Sequence, residues 1–495
     1  MHALTRLTVA GICSLLAGTA AAQPVEAPEK PAAQAQKLQV RPLSEAVTVF
    51  RGVNVITMTD AGTLRAQAVV VRDGKIAAIS EDAKFTPPKN ATVVNAAGKF
   101  MIPGLCDMHV HFPPLPGDKG DPSWRAATLL LANGVTTARG MVGSDPHIEL
   151  RRRMASGELL GAMCYFSSPP MSVQMVKNPE QAKELVKTFK AKGFDLIKSH
   201  RIVVPEIYEA IQATAKAEGI PVAGHVDNEV TLERALASGM QIEHMDGMLA
   251  ELVPEEAREG WAQMPTPEVR DQADIAKIPD VVARIKKSGV WVTPTLALFE
   301  VIADVKTPNE DMLAKPGIKY IMPNAVKMWA GQRLHSMEEG PFTGNGLGTW
   351  FTKTRSSFVA EMKKQGVPLM AGSDSPQFFL VTGFALHEEL ASLVKAGLTP
   401  TEALTAATAN PARYLRSLPN GGSAVGIEAD FGTLETGKRA DLVLLSADPT
   451  VDILNTRKIE GVCVRGKWLD RAALDALLSE AEASVQPKPA EKPVG

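Results

Sequence analysis

The stretch Gly104-Leu105-Cys106-Asp107-Met108-His109-Val110-His111 decides how this chain folds. A short apolar run closes on two histidines two positions apart. Successive side chains of a strand point to opposite faces, so His109 and His111 share one face while Val110 packs behind them. That is what a strand needs to bring two imidazoles to one metal. A lone His-x-His pair is a weak signal. Its weight here comes from Lys198, His225, His244 and Asp374, which recur at the ends of later apolar runs.

Working outward, apolar strand and helix alternate from Gly104 to about Leu418. The expected strands are Leu105–His109, Val135–Arg139, Met163–Ser167, Asp195–His200, Pro221–His225, Gln241–His244, Val290–Pro294 and Pro368–Asp374. Helical stretches such as Asn178–Lys192, Val204–Glu218 and Thr231–Ser238 follow most of them. The α/β pattern predicts a closed parallel (β/α)8 TIM barrel over residues 104–430. An open doubly wound sheet is disfavoured because no Gly-x-Gly-x-x-Gly turn is present.

Either side of the barrel the pattern is all-β. Residues 46–103 hold β-branched runs, with Asp73-Gly74 placed as a hairpin turn. Short strands return over 431–475. The economical arrangement is a discontinuous β-sandwich formed by the N- and C-terminal segments. Residues 23–45, rich in Pro, Ala and charge, read as a disordered linker, and 476–495 as a fraying tail. Leu7–Leu16 is apolar and Ala20-Ala21-Ala22 supplies small residues, so 1–22 reads as a signal peptide cleaved after Ala22, for a periplasmic or secreted protein.

Composition narrows the function further. A net charge of -2 and 22% charged residues leave no footprint for nucleic acid or, after signal cleavage, for a membrane surface. By elimination a small-molecule or peptide partner is expected, with homo-oligomerisation left open. After cleavage Cys106, Cys164 and Cys463 remain, an odd and scattered set that is neither a disulfide framework nor a thiolate zinc site.

In such a barrel, catalytic groups sit at the C-terminal ends of strands. His109, His111, Lys198, His225, His244 and Asp374 all fall there in strand order. The arrangement resembles the metal-dependent amidohydrolase superfamily, in its imidazolonepropionase-related amidohydrolase and dipeptidase branch. The matching stretches include Phe100–His111, Gly134–Arg139, Asp195–Lys198, Val222–His225, Ile242–His244, Ala371–Asp374 and Gly432–Val443.

The resemblance implies a binuclear centre. His109, His111 and Asp374 would hold one divalent cation, and His225 and His244 the other. Lys198 would carry an N6-carboxylysine carbamate with one oxygen for each. Zinc suits such a ligand set, and manganese or cobalt would also fit. The implied chemistry is amide hydrolysis of dipeptides or N-acyl amino acids by a metal-bridging hydroxide, with Asp374 moving the proton. Lactone, carbamate or phosphotriester hydrolysis on the same centre remains open. So does a mononuclear deaminase, which would have no use for Lys198, and a metal-binding protein without catalysis.

Other residues carry less. Arg139 is a candidate for a substrate carboxylate or a supporting role. Gly140 stands where the family usually has Asp, so a supporting hydrogen bond is expected to be lost. His200 shares a face with Lys198 and reads either as a substrate contact or, more simply, as an exposed loop histidine. His147, His335 and His387 read as solvent-facing or local caps. Two insertions, Leu249–Lys287 with Trp261 and Phe299–Lys364 with Trp329, Trp350 and Gly344-Asn345-Gly346, read equally as lids or as outer-ring helices.

Overall fold

The computed structural model describes residues 37–115, 117–258, 265–344 and 346–486. The expected signal peptide, most of the 23–45 segment, Trp261 and Asn345 lie outside the described residues.

The N-terminal strands are β1 (Thr48–Ile56), β2 (Thr63–Arg72), β3 (Lys75–Glu81), β4 (Thr92–Asn95) and β5 (Phe100–Pro103). Asp73 (φ 51°) and Gly74 (φ 74°) both occupy the left-handed region, as a two-residue hairpin between Arg72 and its partner Lys75 requires. β1 pairs in parallel with β4 over its first half and with β5 at Asn54 and Val55, and its antiparallel ladder with β2 breaks register between Phe50 and Val53 and again between Val53 and Val55.

The barrel follows with β6 (Leu105–Val110), β7 (Val135–Gly140), β8 (Met163–Phe166), β9 (Ile197–Ser199), β10 (Val222–Gly224), β11 (Gln241–Glu243) and β12 (Val292–Thr293). Their ladders are parallel, and almost every strand residue is buried, as strands covered on both faces must be. Single bridges, Ser167 to Leu196, Val292 to Leu369 and Val110 to Ser375, close the ring. The eighth stretch, expected as a strand over Pro368–Asp374, bonds to its neighbours without forming a regular ladder. The cause is local. Asp374 turns into the left-handed region (φ 53°), and Gly372 lies so close to β6 that a Cβ there would sit 2.8 Å from His109 Cβ.

Helices Pro179–Lys192, Pro205–Glu218 and Thr231–Ser238 stand where the sequence placed them. The first starts with Asn178 Oδ1 accepting from Gln181 N at 2.9 Å.

β13 (Leu442–Leu445), β14 (Ile459–Val464) and β15 (Lys467–Asp470) complete the flanking domain. β13 runs antiparallel to β5, from Leu442 opposite Pro103 to Leu445 opposite Phe100, so the two ends of the chain share one hydrogen-bonded network. Phe50, Val53, Val71, Leu442, Leu444 and Cys463 form its core.

Two boundary readings are corrected. Residues 37–45 do not hang free: Leu38, Arg41 and Leu43 donate backbone bonds to Val425, Ala155 and Arg465 carbonyls. Residues beyond 475 continue a helix, Arg471–Ala483, whose Leu474 and Ala481 are buried and whose end meets Arg125 through Ser484 Oγ at 2.6 Å. Polar and alanine-rich composition hid one apolar face in each segment. The insertion after β12 folds into helices that include Leu296–Ala303, Pro323–Glu339 and Leu347–Gln365, with Trp329 fully buried. Among the described residues, no helix is long and apolar enough to cross a membrane.

Candidate metal centre

Every sequence-nominated ligand reaches the same mouth of the barrel. His109 and His111 leave β6 on one face, with Nε2 atoms 3.3 Å apart. Asp374 Oδ1 lies 3.4 Å from His109 Nε2 and 3.2 Å from His111 Nε2. Ligand atoms of His109, His244 and Asp374 gather within 4.8 Å of one another. The rings then continue outward: His109 to His244 is 4.7 Å between centroids, His244 to His225 4.6 Å, and His225 to His200 4.7 Å.

Carboxylates behind the rings set their orientation. His109 Nδ1 lies 2.7 Å from Glu243 Oε2, and His225 Nδ1 2.7 Å from Asp246 Oδ2. An ionised carboxylate only accepts, so each Nδ1 carries the proton and each Nε2 keeps its lone pair. His244 Nδ1 meets Thr295 Oγ1 at 2.8 Å. Glu243, Asp246 and Thr295 had no role in the sequence reading. Glu243 stood inside a matching stretch beside His244, and that adjacency was the available signal.

The electrostatics favour ligation. Burial pushes the pKa values of His109, His225 and His244 well below the usual imidazole range and holds them neutral, with the Lys198 charge adding to the effect at each. Neutral imidazole is the form that binds a metal. Lys198 is 2% exposed and its Nζ makes no hydrogen bond. Burial lowers its pKa against the pull of Glu243 and Asp374. Asp374 is pushed well above the carboxylate range by burial, and its Oδ1 also lacks a hydrogen-bond partner. A buried amine, a buried carboxylate oxygen and imidazole lone pairs, facing one another with too few protons to share, fit a divalent cation. His244, Thr295 and Asp374 all sit at positive φ (60°, 47° and 53°), so backbone strain collects at this mouth.

Several nominations are corrected. Of the two roles open to Arg139, the structure supports the supporting one: at 1% exposure it donates to Met108 O (2.7 Å), Gln241 Oε1 (2.7 Å) and Glu243 Oε1 (2.5 Å), which holds it beneath the centre. Gly140 reflects space, since a Cβ would come 2.5 Å from Phe166 Cδ1. His200 is partly buried against the His225 ring at the edge of the cluster. His147 and His387 are not solvent-facing. His147 stacks on Phe166 at 4.8 Å and bonds the Pro113 carbonyl, while His387 bridges Thr456 Oγ1 (2.9 Å) and Asn133 O (3.1 Å). Their partners are distant in sequence, so local polarity misled. His335 is exposed, on a helix.

A closed (β/α)8 barrel with a histidine and aspartate cluster at its C-terminal mouth, flanked by a two-ended β-domain, defines a metal-dependent hydrolase of carbon–nitrogen bonds. Residues 100–469 match the profile of the Amidohydrolase family, and the chain belongs to it. It is similar to the imidazolonepropionase of Geobacillus kaustophilus, 26% identical over 415 residues that cover 80% of this chain and 88% of that enzyme. It also resembles the enamidase of Eubacterium barkeri, 31% identical over 139 residues, but that match spans 26% of this chain and only 34% of the relative. A solved Xaa-Pro dipeptidase with methionine bound in its active site shares the fold, with a TM-score of 0.60 at 19% identity, covering 86% of this chain and all of that one.

Proposed function

We propose that this protein hydrolyses the amide bond of a dipeptide or N-acyl amino acid at a two-cation centre. The observation that carries the reading is Lys198, buried and unpartnered among the imidazoles and Asp374. His109, His111 and Asp374 would hold one cation, His225 and His244 the second. Lys198, reacted with carbon dioxide to a carbamate, would give one oxygen to each. A mononuclear deaminase leaves that lysine unused, which weighs against it. Bound divalent cations, zinc by ligand type, supply the Lewis acidity that activates water and polarises the scissile carbonyl.

The chain's own residues do the rest. Glu243 and Asp246 fix the rings of His109 and His225 by holding their Nδ1 protons. Asp374 accepts a proton from the attacking water at its carboxylate and returns it to the leaving nitrogen. His200, at the edge of the cluster beside His225, is placed to touch the substrate. The dipeptide preference draws support from the shared fold of the Xaa-Pro dipeptidase.

The test is amine release by zinc-loaded protein from a panel of Xaa-Pro dipeptides, other dipeptides and N-acyl amino acids. Turnover of at least one amide class, absent after metal removal, is expected. A metal-loaded protein that cleaves lactones, carbamates or phosphotriesters but no amide would contradict the assignment. The leader around Leu7–Leu16 supports export with cleavage after Ala22, which N-terminal sequencing of the mature protein checks.

A further inference from the structure

The insertion between β12 and the eighth barrel segment sends one charged side chain back to the metal centre. Arg355, on helix Leu347–Gln365, is 2% exposed. Its Nη2 donates to the carbonyls of His244 (2.6 Å) and Pro294 (3.0 Å). Its guanidinium lies 3.7 Å from the centroid of Phe299, whose ring is 6.0 Å from that of His244.

Asp246 and Glu389 pull on Arg355 electrostatically, but among the described residues no direct ion pair joins it to a carboxylate, and its Nε makes no hydrogen bond. A buried guanidinium with no carboxylate in direct contact is a costly way to fill space. What it does that an apolar side chain cannot is tie two carbonyls together. Those carbonyls belong to His244, itself at positive φ, and to Pro294, which precedes Thr295, also at positive φ. The His244 ring and the Thr295 hydroxyl meet directly across the same gap, at 2.8 Å.

We propose that Arg355 is a positioning residue for the metal centre. It clamps the ends of β11 and β12 so that the His244 imidazole stays aligned with His109 and Asp374. The proposal rests on the metal-site reading above and assigns the insertion a structural task at the centre instead of a lid.

The test is zinc affinity of the full-length chain, measured by competition with a chelator, together with the visible spectrum of the cobalt-loaded protein. R355M is expected to bind zinc 10–100-fold more weakly, the usual cost of losing a partner that orients a ligand, and to alter the cobalt bands. R355K, which keeps a donor but cannot stack flat, is expected to recover part of the affinity. R333M is the matched control. Arg333 bonds the Val301 and Thr307 carbonyls in the same insertion without touching the cluster, so its loss should leave zinc affinity unchanged. Folded R355M with wild-type affinity and spectrum would overturn the proposal. If R355M does not fold, R355K with wild-type affinity and spectrum would overturn it equally. Wild-type protein that takes up no zinc would instead sink the metal centre itself.

Discussion

Glu243→Gln isolates the carboxylate that organises the centre from below. Glu243 is fully buried, holding His109 Nδ1 through Oε2 at 2.7 Å and Arg139 through Oε1 at 2.5 Å. Glutamine keeps the size and one acceptor but removes the charge. Two separable losses follow. His109 loses the partner that fixes its tautomer, which should weaken metal binding about 10–100-fold, or about 1.4–2.8 kcal/mol. Arg139 also becomes a buried cation without its carboxylate, and breaking such a pair costs about 3–5 kcal/mol of stability. Competition against a chelator reads the first loss, and denaturant unfolding of the metal-free protein reads the second. Glu243→Gln with metal affinity within about twofold of wild type would refute the claim that this hydrogen bond orients His109. Unchanged stability would refute the role given to the Arg139 pair.

Asp374→Asn should cut turnover by at least about 100-fold, in the range of lost general acid–base catalysis, while a substantial part of the zinc stays bound; near-normal kcat would remove Asp374 from the proton transfer. Gly372→Ala forces a Cβ against His109 and Thr293, at 2.8 and 2.6 Å, and should cost about 1–3 kcal/mol by overpacking, with zinc affinity falling alongside. A fully stable, zinc-tight variant would show that the approach of this segment to β6 is not constrained. Glu389, fully buried with Oε2 accepting from Ala297 N at 2.8 Å, has its pKa raised by burial to about 8. Its folded form therefore holds a proton that the unfolded chain releases near the ordinary carboxylate value. The stability it contributes is complete in acid and is lost as pH rises toward 8. Glu389→Gln should flatten the decline of Tm between pH 5 and 8, and identical slopes in the two proteins would contradict the assignment.

The barrel and the cluster at its mouth were legible because parallel strands buried on both faces read as apolar runs, each closed by a polar residue at its C-terminal end. The eighth segment shows the limit of that logic. Its Ala371-Gly372-Ser373-Asp374 sequence placed Asp374 in the cluster, but the left-handed turn at Asp374 is a tertiary demand that no local pattern carries. Arg139 was left between a substrate contact and a supporting role for a related reason. Its acceptors Gln241 and Glu243 come from a strand 102–104 residues away, and only closure of the barrel brings them beneath it. His147 and His387 follow the same rule, since distant carbonyl and hydroxyl partners made buried groups out of residues in polar surroundings. The segments around 37–45 and 476–483 failed differently, because composition reports average polarity and packing needs only a few apolar side chains in register.

The central claim is that Lys198 joins two cations at the mouth of the barrel. Metal content per chain, measured by mass spectrometry on protein loaded with zinc in bicarbonate, tests it most directly when wild type is set beside Lys198→Ala. The account predicts about two zinc ions in wild type and a clear loss in the variant, partly restored by a short-chain carboxylic acid. One zinc or none in wild type, or two retained without Lys198, would contradict it.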